Sequence, residues 1–233
     1  MPQNKLTDRF GRTVNYVRLS VTDRCDFRCV YCMAEDMTFL PRQQVLTLEE
    51  IARVARNFVD LGTEKIRLTG GEPLVRKDIL ELVKEIGTYG LRDFAMTTNG
   101  SQLPTMAEPL RKAGMHRLNI SLDSLDAEKF HNITRTGKLS QVLDGIDAAR
   151  EAGFRGIKIN TVVMKGRNDE EVPELVEFAR KKNVDITFIE EMPLGEISEH
   201  DRGLALCTSE EVRDIIRKHH ELVPATEDTG GPA

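Results

Sequence analysis

At 233 residues and 26.3 kDa the chain suits one large domain, as α/β barrels often are, or two small ones, with a sizeable core either way. Apolar residues make up 39% and charged residues 30%, with no Trp and no apolar run of membrane-spanning length, which excludes a disordered or membrane-embedded chain. The net charge of −5 excludes the basic surface that sequence-independent nucleic-acid binding needs, so an anionic ligand must be met by local cations. The opening Met-Pro-Gln-Asn-Lys-Leu-Thr-Asp-Arg-Phe has neither a signal-peptide core nor transit-peptide character, so the expected location is the cytoplasm. There, four cysteines point to metal binding or catalysis rather than to disulfides.

In chain order, β-rich runs alternate with amphipathic helical stretches, the rhythm of βα units around a parallel sheet. Strands are predicted over Tyr16 to Thr22, Lys65 to Thr69, Asp93 to Thr97, Arg117 to Leu122, Ile157 to Met164 and Asp185 to Met192. The clearest helix is capped by Thr47 with Glu50 completing a capping box, carries an apolar stripe from Leu48 to Val59, and ends at Gly62. Further helices are predicted near Asp78 to Ile86, Thr105 to Ala113, Ser140 to Ala152, Glu170 to Lys182 and Thr208 to His219, the last with Thr208 and Glu211 as a second capping box. The run Arg180-Lys181-Lys182 suits a solvated helix end. Six such units predict an α/β fold, a partial (β/α)6 TIM-like barrel with functional residues at the C-terminal strand ends and an open side that admits substrate. The segment from Pro224 to Ala233 has no periodicity and reads as a loop cut short, so the expected division is a core domain over 1–222 and the start of a further region over 223–233.

The residues with most chemistry follow the first strand: Cys25-Asp-Phe-Arg-Cys29-Val-Tyr-Cys32. A trio of thiols with no fourth nearby can hold a four-iron cluster and leave one iron open to another ligand. Zinc is the alternative, but a structural zinc site wants four closed ligands, and His116 lies far along the chain with no paired ligand beside it. Cys207, alone before a helix cap, reads as a small packed residue. After the second strand, Thr69-Gly70-Gly71-Glu72-Pro73 permits close approach of backbone to a ligand, or is a tight βα turn. Thr97-Thr98-Asn99-Gly100, and Ser121 with Asp123, are likewise small polar residues for a ligand or for turns. Arg18, Arg67 and Lys158 each sit inside an apolar strand, where an inward cation suits a phosphate; outward-facing side chains or ion pairs with Asp23 or Glu64 are the alternative.

The cysteine loop with Tyr31 before its third thiol, the GGEP turn and the βα rhythm together resemble the radical S-adenosylmethionine superfamily. More narrowly, the segments around Arg18 to Cys25, Arg67 to Pro73, Thr97 to Gly100, Asn119 to Ser124, Lys158 to Val162 and Phe188 to Met192 resemble the molybdenum cofactor biosynthesis protein A family, the GTP 3′,8-cyclases. That resemblance implies a lyase acting on GTP in the first step of molybdenum cofactor biosynthesis. It implies that Cys25, Cys29 and Cys32 hold a [4Fe-4S] cluster whose open iron takes S-adenosylmethionine. Tyr31, Gly71, Ser121 and Met192 would line the S-adenosylmethionine site, and Arg18, Arg67, Thr97 and Lys158 would contact GTP. It also implies an electron donor such as a flavodoxin or ferredoxin, a partner enzyme for the cyclised product, a possible homodimer, and no nucleic-acid or membrane partner.

Complete members of the family continue to a second cysteine trio that binds another [4Fe-4S] cluster, and this sequence holds no such trio. The chain is therefore expected to be a truncated form with impaired cyclisation and exposed apolar surface. A radical S-adenosylmethionine enzyme acting on a peptide, or a non-catalytic metal-binding fragment, are the alternative functions.

Overall fold

In the computed structural model the expected strands form, each within two residues of its predicted bounds: β1 (Tyr16–Ser20), β2 (Lys65–Thr69), β3 (Asp93–Thr98), β4 (Arg117–Ser121), β5 (Gly156–Val163) and β6 (Asp185–Glu190). Residues 5–34, 36–192, 197 and 200–226 are described. The strands make one sheet in the order β1 to β6, every pairing parallel, with β1 and β6 as its two edges. Consecutive parallel neighbours require crossovers of one hand, which curl the sheet into the predicted partial barrel.

Helices supply those crossovers: α1 (Leu48–Asp60), α2 (Ile79–Gly87), α3 (Leu103–Lys112), α4 (Ala127–Thr134), α5 (Leu139–Glu151) and α6 (Val172–Lys182); α7 (Arg202–Ala205) and α8 (Ser209–Arg217) follow the last strand. Two of them, α4 and α7, are not in the sequence reading. The signal for α4 is Asp126, whose carboxylate accepts from the N–H groups of Glu128 and Lys129, ahead of Phe130 and Ile133 on one buried face. The start of α2 shifts to Ile79, because Asp78 is left-handed (φ 59°) and makes no capping hydrogen bond. A 3-10 turn at Asp169–Glu171 displaces the start of α6 to Val172. Residues 224–226 carry no regular structure, and the rest of the predicted terminal loop, 227–233, lies outside the described residues.

Both predicted capping boxes form. Thr47 Oγ1 accepts from Glu50 N–H at 3.2 Å while Glu50 returns a carboxylate to Thr47 N–H at 2.7 Å. Thr47→Ala removes one half of that exchange and is expected to lower stability by about 1 kcal/mol in urea unfolding; an unchanged midpoint would show that tertiary packing alone holds the start of α1.

The period of two along each strand sorts the sheet into two chemically different faces. Ile66, Leu68, Phe94, Met96, Leu118, Ile120, Ile157 and Ile159 point outward into the core made with α1, α2, α3 and α5. The other face is polar and is left to the inside of the curl. By register it contains one row through Arg18, Arg67, Ala95, Arg117 and Gly156, and a second through Thr97, Asn119, Lys158 and Asp185. Nearest the C-terminal rim, a third row runs through Ser121, Asn160 and Thr187.

Candidate active site

The three-cysteine loop leaves β1 at the C-terminal rim and is clamped from three sides. From the β2 turn, Gly71 N–H donates to Thr22 C=O and Glu72 N–H to Arg24 C=O, both at 2.8 Å. The close approach that the glycines permit is to the loop's own backbone: a Cβ on Gly70 would stand 2.4 Å from Thr22 O, and one on Gly71 2.3 Å from Arg24 O. From the β3 turn, Asn99 Nδ2 and Ser101 Oγ donate to the carboxylate of Asp26 at 2.6 and 2.7 Å. From the end of α4, Thr134 and Ile133 accept from the N–H groups of Arg28 and Val30 at 3.0 and 2.9 Å. Arg28 then turns its guanidinium back onto the carbonyls of Cys25 and Phe27 at 2.7 and 2.8 Å.

All the cysteines are free thiols. Burial pushes the Cys25 thiol up to about 11 and the Cys29 thiol well above its usual value, and also raises Cys32. Cys29 feels the charges of both Cys25 and Cys32, and Cys25 feels that of Cys32, so the three thiols lie within one another's electrostatic reach. Among the described residues no three His, Cys, Asp or Glu side chains converge on a single-ion site. A cubane binds each thiolate at a different corner iron and takes a more open trio, so spacing and donor type fit a [4Fe-4S] cluster better than one zinc.

Tyr31 is anchored beside them. Its hydroxyl donates to Asp123 Oδ2 at 2.7 Å, and Asp123 Oδ1 accepts from Val162 N–H at 2.9 Å. Burial raises the Asp123 carboxyl to about 6, and the Tyr31 hydroxyl and Val162 N–H restrain the rise. Of the two roles its sequence position allowed, ligand contact or turn, Asp123 takes the structural one and holds the loop's aromatic residue.

Glu72 has a similar internal role. Its carboxylate accepts from Leu74 N–H (3.0 Å), Thr98 Oγ1 (2.8 Å) and Asn99 N–H (2.6 Å), tying the β2 turn to the β3 turn. Burial raises it to about 7, against those three donors. The native state thus keeps a proton that the unfolded chain releases above its ordinary value of 4.5. This contribution to stability is fully present below that value, is lost as the pH climbs through about 7, and is constant above. Glu72→Gln cannot titrate, so between pH 5 and pH 8 the apoprotein's unfolding free energy is expected to fall less in the variant than in the parent. The difference is on the order of 3 kcal/mol; equal slopes in urea titrations would refute the assignment.

Below the rim, the inner face gathers the predicted ligand residues. Arg18 and Arg67 are register partners; Thr97 and Lys158 flank Asn119 in the next row; Ser121 ends β4 above them. Met192 follows β6 and is 56% exposed. Arg67 is 8% exposed, and its buried Nε has no hydrogen-bond partner among the described residues. Its guanidinium lies over the Tyr16 ring at 5.6 Å. Burial, and the facing charges of Arg117 and Arg18, lower its pKa. The pairing partners considered from sequence are engaged elsewhere: Glu64 meets Arg92 at 3.7 Å, and Asp23 accepts from Leu40 N–H at 2.6 Å. Arg117 differs, since its stem crosses Gly156 and its Nε donates to Asp93 Oδ1 at 2.8 Å. Orphaned buried polar atoms on one face, Arg67 Nε, Asn119 Oδ1 and Tyr16 OH, mark a surface suited to an anionic polar ligand.

The sequence profile of the Radical SAM superfamily matches residues 19–179. A GTP 3′,8-cyclase of Marinobacter nauticus is 90% identical over all of this chain, which spans 71% of that protein. A GTP 3′,8-cyclase of Pseudomonas putida is 62% identical over the same share of each chain. The chain belongs to the radical S-adenosylmethionine superfamily, among the GTP 3′,8-cyclases. Among solved structures, Streptococcus suis SuiB bound to S-adenosylmethionine superposes with a TM-score of 0.70 at 20% identity, over 88% of this chain and 48% of SuiB, which shows a shared fold. The hydrogenase maturase HydG of Carboxydothermus hydrogenoformans superposes with a TM-score of 0.62 at 19% identity, over 86% of this chain and 49% of HydG.

Membership of the superfamily brings a [4Fe-4S] cluster and S-adenosylmethionine as cofactors. The GTP 3′,8-cyclases use a second cluster; in these 233 residues the remaining thiol, Cys207, is 1% exposed among Val163, Val172, Val212 and Ile216 and is a core residue of this radical enzyme fold. Sequence reading singled out Asn99 as a ligand or turn residue but did not show that it pairs with Asp26 to hold the site in shape. Asp26 and Asn99 gave no spacing signal, because their bonds join positions more than seventy residues apart. No helix among the described residues is long and apolar enough to cross a membrane.

Proposed function

We propose that residues 1–222 form a radical S-adenosylmethionine core that binds GTP on its inner face and opens its conversion to the 3′,8-cyclised nucleotide. The observation that carries this reading is the buried Arg67, whose Nε has no hydrogen-bond partner among the described residues, in register with Arg18 one row below Lys158 and under the three-cysteine rim. A buried guanidinium with an unsatisfied N–H is costly, and a triphosphate offsets that cost with charge-assisted hydrogen bonds.

Cys25, Cys29 and Cys32 would hold the cluster, with Tyr31, the Gly71 carbonyl, Ser121 and Met192 around S-adenosylmethionine. Gly71 N–H is already engaged by Thr22, so its carbonyl is the group left to offer. When bound, the reduced cluster with S-adenosylmethionine supplies homolytic hydrogen abstraction. The chain's own residues do the rest. Arg18, Arg67 and Lys158 grip the triphosphate, Thr97 adds a hydroxyl, and the strand rows fix how far below the rim the sugar lies. Such work is orientation of one carbon–hydrogen bond and exclusion of competing quenchers, with no acid or base required. A low-potential flavodoxin or ferredoxin as donor, a partner enzyme that takes the cyclised product, a homodimer and a cytoplasmic location belong to the same proposal.

The test is anaerobic: reconstitute iron and sulfide, reduce with dithionite, and measure 5′-deoxyadenosine release from S-adenosylmethionine with and without GTP. Release stimulated by GTP and lost in Arg67→Ala supports the reading. Release that ignores GTP sends the search to another substrate, a peptide among them.

A further inference from the structure

Asn119 lies at the middle of β4 on the polar inner face and is 4% exposed, yet its Oδ1 is sealed from solvent with no hydrogen-bond partner among the described residues. A buried amide of this kind is expensive to keep in a sheet whose other face is filled with Leu118 and Ile120. Its register neighbours are Thr97 on β3 and Lys158 on β5. Rows on one strand face are spaced by about 6.6 Å. One row toward the rim stands Ser121; one row away from it stand Arg67 and Arg18. A nucleotide whose triphosphate lies on the lower cations, and whose reacting sugar must reach the rim, has to lay that sugar across the Asn119 row.

We infer that Asn119 is a substrate-positioning residue whose side-chain amide hydrogen-bonds a ribose hydroxyl of GTP, fixing the sugar between the strand cations and the cysteine rim. This rests on the reading of GTP as substrate. A hydroxyl is favoured over a guanine N–H because it both donates and accepts, and so satisfies the amide whichever way its oxygen and nitrogen are turned. Ribose recognition also fits the chemistry, since rotating the sugar in place would carry its 3′ hydrogen away from the rim while the triphosphate stayed bound. Thr97 and Lys158 cannot supply that restraint alone: they flank Asn119 in the same row, on the two neighbouring strands, and leave the position between them to Asn119.

Near-isosteric Asn119→Leu separates this role from a structural one. Ligand-free Asn119→Leu chain is expected to melt higher than the parent, because an unsatisfied buried amide is replaced by apolar surface. At the same time its GTP affinity, measured by titration calorimetry on the whole chain, is expected to fall roughly tenfold, the scale of one lost hydrogen bond. The parent is expected to lose a similar factor with either 2′-deoxy-GTP or 3′-deoxy-GTP, and the variant to show no further loss with that same analogue. Asn119→Ala supplies the same comparison without the larger side chain. Unchanged GTP affinity in both variants, equal discrimination against the deoxy analogues by parent and variants, or a lowered melting temperature in Asn119→Leu would each overturn the inference. If Arg67→Ala weakens GTP binding and the Asn119 variants do not, the assignment of Asn119 alone fails; if the parent binds no GTP, the substrate reading fails with it.

Discussion

Cys25→Ala, Cys29→Ala and Cys32→Ala are each expected to leave a folded chain that retains no iron–sulfur cluster after anaerobic reconstitution, while Cys207→Ala keeps its full complement. In the proposed cluster each thiolate of the trio would serve a different iron, so losing one would leave two irons open and the cube without its third anchor. The thiols contribute little to the fold. Cys25 and Cys29 touch the edge of the core and Cys32 is exposed, whereas the loop's backbone is held by Thr22, Arg24, Asp26, Arg28 and Val30. Iron and sulfide analysis, visible absorption and 5′-deoxyadenosine release are therefore expected to fall to background together, with urea unfolding of the apoprotein close to the parent's. Cys207 lies in a separate apolar cluster on α8 and β5, and Ala there costs packing but no cluster. Full iron loading in any one of the three variants would mean that another side chain completes the site.

Much of this arrangement is legible in the sequence, and the reason is local. Strands, caps and the cysteine loop are written in neighbouring residues: Thr47 and Glu50 are three apart, and the thiols span eight positions. Even the shared face of Arg18, Arg67, Thr97, Ser121 and Lys158 follows from alternation once the register is known. What was not legible is which polar residues serve ligands and which serve the frame. Asp123 and Asn99 read alike as small polar residues at strand ends. The fold gives the first to Tyr31 and the second to Asp26 and Glu72, through contacts that depend on three-dimensional closure. Asn119 was hidden for the opposite reason: it sits inside an apolar strand, and only the absence of a partner for its buried Oδ1 distinguishes it from an ordinary packed amide.

Gly71 is the position where frame and cofactor chemistry meet. Gly71→Ala is expected to destabilise the apoprotein by about 1–3 kcal/mol, the range for overpacking a filled site. The added Cβ would stand 2.3 Å from Arg24 O, 2.6 Å from Arg24 C and 2.7 Å from Asp23 O. All three are backbone atoms of the cysteine loop, so no rotamer change relieves the contact; the loop itself must move. That movement breaks the 2.8 Å bonds from Gly71 N–H to Thr22 and from Glu72 N–H to Arg24, and it shifts Cys25, the next residue along. Iron loading is thus expected to fall along with stability, although no thiol has been altered. Gly90→Ala is the control: its φ of +70° brings backbone strain, but nothing lies within 4 Å of the new Cβ, so stability drops by about 1 kcal/mol while iron content stays at the parent level. A Gly71→Ala chain that keeps both its stability and its iron would show that the turn after β2 does not position the thiols, and that the clamps from Asn99 and α4 are sufficient.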